Sequence, residues 1–270
     1  MFSTFRKRLD IYIEPFIDLK DVVWDFCITC RNAVRSRGLS ALLDVTRLRR
    51  ETFAFCDARI DPDFEVCKDR MSTAKLIASA KGTILEVGPG FGTNLSFYDK
   101  VKVKHIYGVE INKFLIPSLE ARVAKFGLGK KYTVIRSGVG NTDVLKEYGI
   151  KPGSIDTIVC MQVLCSVARP EAIVRDLYQL LKPGGKLIFR EHTKSNDCVT
   201  RMVQNFWNIP WRFFVGGCNI NRDVPRILTS AGAWEGVGAI ERDEDHPWDL
   251  FPTVWGTLFK PRRELSTSSY

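Results

Sequence analysis

The sequence predicts an α/β protein: a seven-stranded sheet with helices on both faces and an N-terminal helical cap. Three observations predict it. Short β-branched runs alternate with helical segments from about Lys81 onward. An apolar run over 83–87 meets three alternating glycines at 88, 90 and 92. Two further strand-like runs, 236–241 and 253–260, stand close together near the end of the chain. Strand–helix alternation favours a parallel sheet with right-handed crossovers, and a close pair of runs suits an antiparallel edge.

Taken in order, residues 1–75 read as a mainly helical extension that caps the cleft, and 76–270 as the α/β domain. The apolar patches 11–13, 16–17 and 22–30 are interrupted by Asp10, Glu14, Asp18, Lys20, Asp21 and Asp25. None approaches the roughly 18 apolar residues of a spanning helix. An amphipathic helix packed on the domain is expected, with peripheral contact to a membrane surface as the alternative. Strands are expected at 83–87, 105–110, 133–136, 154–161 and 186–191, and helices at 93–100, 113–125, 141–148, 169–182 and within 199–230. The turn between the last of those helices before 186 and its strand is Leu181-Lys182-Pro183-Gly184-Gly185, where proline stops the helix and glycine takes the turn.

A chain of 270 residues with 45% hydrophobic content can bury a full core. Its net charge of +9 would suit an anionic partner. The basic residues are dispersed, however, apart from Arg47, Arg49 and Arg50, and Lys260, Arg262 and Arg263. A solvated basic surface is therefore expected rather than a nucleic-acid site. Eight cysteines, at 27, 30, 56, 67, 160, 165, 198 and 218, are too scattered for a disulfide scaffold and read as reduced thiols of an intracellular protein, cytoplasmic or peripherally membrane-associated. Cys27 and Cys30 have zinc-knuckle spacing, but no second pair follows, and no metal is expected.

The glycine run decides which cofactor is expected. A dinucleotide loop is G-x-G-x-x-G, and Thr93 stands where its third glycine belongs. Glu86, Gly88, Gly90 and Gly92 instead form E-x-G-x-G-x-G, which resembles motif I of the class I S-adenosylmethionine-dependent methyltransferases. The second strand ends in Glu110, 22 residues past Gly88, where a carboxylate can accept hydrogen bonds from both ribose hydroxyls. Ile111 lies beside it for the adenine face or for helix-start packing. Asn141 has two uses open to it, an adenine contact or the cap of the next helix. Gln162 follows the fourth strand, at the carboxyl edge where open sheets bind ligands.

The resemblance to class I methyltransferases covers about 80–261 and implies their Rossmann-like fold, S-adenosyl-L-methionine as cofactor and a small-molecule acceptor. Within it, the run 159–167, Arg190-Glu191-His192, Trp207, Pro210-Trp211, Gly217-Cys218-Asn219 and Val254-Trp255-Gly256 resemble the membrane-associated alkyl thiol S-methyltransferases. The charged N-terminal segment departs from the hydrophobic anchor of that family. A thiol acceptor is the favoured expectation; N- or O-methylation of a lipid or secondary metabolite, and a nicotinamide-dependent oxidoreductase, are the alternatives. An activated methyl needs an aligned nucleophile freed of its proton. His192 is the expected base or acceptor contact, oriented by Glu191, unless both serve only the strand end. Trp207, Trp211, Phe213 and Phe214 would wall an apolar cleft or fill core.

Overall fold

The computed structural model describes residues 2–59 and 68–262. Cys67 and Arg263, read above as a reduced thiol and as part of a basic cluster, lie outside the described residues. Seven strands form one sheet: β1 (Gly82–Val87), β2 (Val103–Val109), β3 (Tyr132–Ile135), β4 (Ile155–Met161), β5 (Leu181–His192), β6 (Glu241–Asp243) and β7 (Thr253–Phe259). Their order is β3-β2-β1-β4-β5-β7-β6. The first five are parallel, and β7 runs antiparallel to both β5 and β6. The order reverses beside β1, and that reversal opens a crevice beyond the carboxyl ends of β1, β2 and β4.

Both faces of the sheet are buried because neighbouring strand residues point to opposite sides. Leu85, Ile158 and Phe189 enter one core with Val174 and Leu177 of α6 (Pro170–Leu180). Ile84, Val159 and Ile188 enter the other, with Ile77 of α3 (Lys68–Ala78) and Leu119 of α4 (Ile116–Lys125). Consecutive pairs such as Ile84-Leu85 therefore supply both layers, which is why these strands read as continuous apolar runs.

The N-terminal part is α1 (Phe2–Arg37) and α2 (Val45–Arg59). Helix α1 lies against α7 (Cys198–Phe214) through a hydrogen bond between Tyr12 Oη and Thr200 Oγ1 at 2.7 Å and the Trp207 indole N–H donating to Tyr12 O at 2.9 Å. It is tied to α2 by Arg37, whose two guanidinium nitrogens donate to the Glu51 carboxylate at 2.7 and 2.9 Å. Among the described residues, no helix is long and apolar enough to cross a membrane.

Two local expectations need correction. Residues 236–241 are not one strand: Val237–Ala239 form a 3-10 turn, and β6 begins only at Glu241. Gly236 holds φ 86°, and that left-handed backbone breaks the extended run. The Leu181–Gly185 turn is a bulge inside β5, since Leu181 pairs with Ile155 and Lys186 with Thr157. The short α5 (Thr142–Glu147) lies between β3 and β4, and the short α8 (Val224–Thr229) follows α7, on the α6 side of the sheet.

Candidate active site

The turn after β1 is built from left-handed glycines. Gly88, Gly90 and Gly92 hold φ of 60°, 59° and 91°, a region in which a side chain is strained. At Gly88 a Cβ would also stand 2.7 Å from Val163 Cγ2, so the Val163 side chain of the loop after β4 packs directly on the Gly88 backbone. Glu86 braces the turn from inside the sheet. Its Oε1 accepts from Asn94 Nδ2 at 3.0 Å and its Oε2 from the Tyr132 hydroxyl at 2.8 Å.

Glu110 closes β2 and faces the same turn. Its Oε2 accepts from Gly90 N–H at 3.0 Å and its Oε1 from Asn112 N–H at 2.7 Å. Burial pushes its carboxyl above the usual range, against the pull of the Asn112 and Gly90 amides. On the far side of the crevice Gln162 holds φ 57°, rare for a residue with a side chain and common at ligand sites.

Most of these groups line one cavity of about 870 Å³. Gly88, Gly90, Glu110, Ile111 and Gln162 all line it, as do the backbone-rich residues Gly138, Val139 and Gly140 after β3. Glu86 and Gly92 shape the turn without lining the cavity. Asn141 also stands off the wall, and its side chain caps α5 by accepting from Val144 N–H at 3.5 Å. The described lining residues include neither Glu191 nor His192. Glu191 is fully buried and accepts the N–H groups of Val163, Leu164 and Cys165 at 2.8, 2.8 and 3.0 Å. It thereby sets the loop that carries the cavity wall. His192 Nδ1 lies 3.5 Å from Cys218 Sγ.

Of the two uses open to the aromatic residues, cleft wall or core, the structure gives them packing. Phe213 and Phe214 make edge contacts with Phe26 of α1, and Trp211 stacks obliquely on Phe251. The pattern 207–214 fits a helix face, and α1 takes that face. Helix α2 belongs to the helical cap expected over 1–75, but the sequence reading missed that its Arg49, Arg50 and Phe53 line the cavity, together with Arg169 and Arg190. The arginine cluster at 47–50 read as solvated surface because nothing local to it shows which face of α2 turns toward the crevice.

Burial also pushes the Glu86 carboxyl up, overriding the hydrogen bonds from Asn94 and Tyr132. A carboxyl raised on folding contributes stability that is full below its unfolded value, near 4.5, and is lost as pH rises through the higher folded value. The stability difference between wild type and Glu86→Gln should therefore shift against the wild type as pH is raised above 4.5. Urea midpoints taken from pH 4.5 to neutrality test this; a difference independent of pH contradicts it.

A family model described as Methyltransferase domain matches residues 60–227, and the chain belongs to that methyltransferase-domain family. That family and the relatives named below are methyltransferases, which leaves the nicotinamide reading without support. Among individual proteins, the chain is 34% identical to the human thiol S-methyltransferase TMT1A over 160 residues, 57% of this chain and 60% of that protein. It thus spans less than two thirds of that relative. An O-methyltransferase family protein from Burkholderia thailandensis is similar in structure, with TM-score 0.58 and 15% identity over 93% of this chain and 73% of that one. The N-methyltransferase NodS from Bradyrhizobium japonicum, solved with S-adenosyl-L-homocysteine, has TM-score 0.55 and 14% identity over 79% of this chain and 99% of its own. At those identities the two structures speak for the fold alone.

Proposed function

We propose that this protein transfers a methyl group from S-adenosyl-L-methionine to the sulfur of a small, largely apolar thiol. The observation that carries the reading is the convergence of a buried carboxylate at the end of β2 and a left-handed glycine turn after β1 on a single cavity. The donor set suits the cofactor. Glu110 would accept from the ribose hydroxyls, Gly88 and Gly90 give backbone room for the methionine part, and Ile111 with Val139 would enclose the adenine. When bound, the cofactor supplies an activated methyl group on a sulfonium.

The chain's own part is then to align the acceptor and to favour its ionised form. Phe53, Met161, Val163 and Val167 make the remaining wall apolar. Among the described residues, four arginines, Arg49, Arg50, Arg169 and Arg190, line the cavity against two acids, Glu110 and Asp176. A cationic lining lowers a thiol's pKa, so the nucleophile is prepared by the field of the wall. Glu191 and His192 remain in the proposal as positioning residues behind the wall, and not as contacts to the acceptor. The thiol assignment draws support from the likeness to TMT1A.

Purified protein given labelled S-adenosyl-L-methionine and a panel of alkyl thiols, amines, phenols and carboxylic acids tests this directly. Methyl thioethers are the expected products, identified by mass. Product from amines or phenols only would refute the thiol assignment while keeping the reaction class.

A further inference from the structure

We propose that Cys165, His192 and Cys218 form a binding site for a soft divalent metal ion, Zn²⁺, behind the wall of the cavity. The three come from separate elements: Cys165 from the loop after β4, His192 from the last position of β5, and Cys218 from the connection between α7 and α8. Their ligand atoms all lie within 4.8 Å of one another. Zn–S bonds of about 2.3 Å and Zn–N bonds of about 2.0 Å at tetrahedral angles require an S···N edge of roughly 3.6 Å and an S···S edge of roughly 3.8 Å. The observed Cys218 Sγ to His192 Nδ1 separation is 3.5 Å, which already meets the first.

The surroundings fix these three groups as a metal's outer shell would. Asn219 donates both its backbone N–H and its side-chain amide to Cys165 O, at 2.9 and 3.0 Å, joining the two cysteine loops. Glu191 accepts the N–H of Cys165 at 3.0 Å, and His192 is held in register against Thr253 of β7. Leu19, Trp211 and Ile220 make the shell apolar, and both cysteines are buried. Two sulfurs and one imidazole select zinc over the hard cations magnesium and calcium. On binding, each thiol gives its proton to solvent, so two thiolates neutralise the divalent charge and a fourth position stays open to water. Because Ser166 and Gly217, the chain neighbours of the two cysteines, line the cavity, the ion would clamp the acceptor side of the wall. This holds whether the acceptor is a thiol, an amine or a hydroxyl.

The full chain, stripped with a chelator and kept reduced by a phosphine, is titrated with Co²⁺ and then with Zn²⁺. One equivalent of Co²⁺ should give a thiolate-to-cobalt charge-transfer band that Zn²⁺ abolishes. The band should be lost in the double variant Cys165→Ser/Cys218→Ser and kept in Cys27→Ser/Cys30→Ser. Alkylation of unmutated protein, mapped by peptide mass, needs no variant to fold: Zn²⁺ at a hundredfold excess over its Kd should slow modification of Cys165 and Cys218 roughly a hundredfold. Absence of the charge-transfer band in wild type, its persistence in the double serine variant, or equal alkylation rates with and without Zn²⁺ would each overturn the site.

Discussion

Replacing Glu110 by alanine is expected to weaken S-adenosyl-L-methionine binding by about 2–4 kcal/mol, roughly 30- to 1,000-fold in Kd. Two effects add. A hydrogen bond from a ribose hydroxyl to an ionised carboxylate is worth about 1.5–3 kcal/mol, and water entering the truncated site restores much of the second. The same carboxylate also holds the Gly90 and Asn112 amides, so its loss unpins the glycine turn from the end of β2. Glu110→Gln keeps the side-chain volume and one acceptor oxygen and should fall between the two. Calorimetric titration reads the effect. A Kd for Glu110→Ala within threefold of wild type would mean that the cofactor does not sit on this strand end.

The second large effect is expected at a residue that touches no ligand. Glu191→Ala should destabilise the fold by about 3–5 kcal/mol, because it strips three backbone N–H groups of their acceptor in a buried place, at about 1–3 kcal/mol each less what entering water restores. The loss should also reach turnover. Residues 163–165 belong to the loop whose Val163, Ser166 and Val167 line the cavity, and when their amides lose Glu191 that wall loses its shape. Urea unfolding gives the first quantity, and kcat with KM for the methyl acceptor the second. Glu191→Gln, which keeps one acceptor oxygen, should recover part of both. A stability unchanged by Glu191→Ala would show that the loop is held by other contacts.

The glycine turn and its neighbours were legible in the sequence because their signals are local. A β-branched run must be extended, three alternating glycines permit left-handed backbone, and an acid 22 residues on falls at the end of the next strand. Helix caps are equally local: Asn141 precedes a helical pattern, and capping it is what its side chain does. The bulge at Lys182–Gly185 and the short β6 were less legible, since each depends on which strand lies alongside. A residue's partner across a sheet is not written in its own neighbourhood.

What the sequence by itself determined is the α/β class, the parallel strand–helix alternation with its antiparallel edge, and the glycine turn facing Glu110, all of which follow from periodicity and backbone conformation along the chain. What only the tertiary structure decided is the rest of the cavity wall. Arg49, Arg50 and Phe53 reach the cavity because α2 folds across it, while Trp211, Phe213 and Phe214 leave it because α1 and Phe251 cover them. Glu191 became a loop anchor, and Cys165, His192 and Cys218 became neighbours, through the same long-range packing. Those contacts join residues 26 to 188 positions apart, from Cys218 and His192 to Phe26 and Phe214. Separations of that size are set by how helices and strands bury their apolar faces against one another, and no local pattern of residues encodes them.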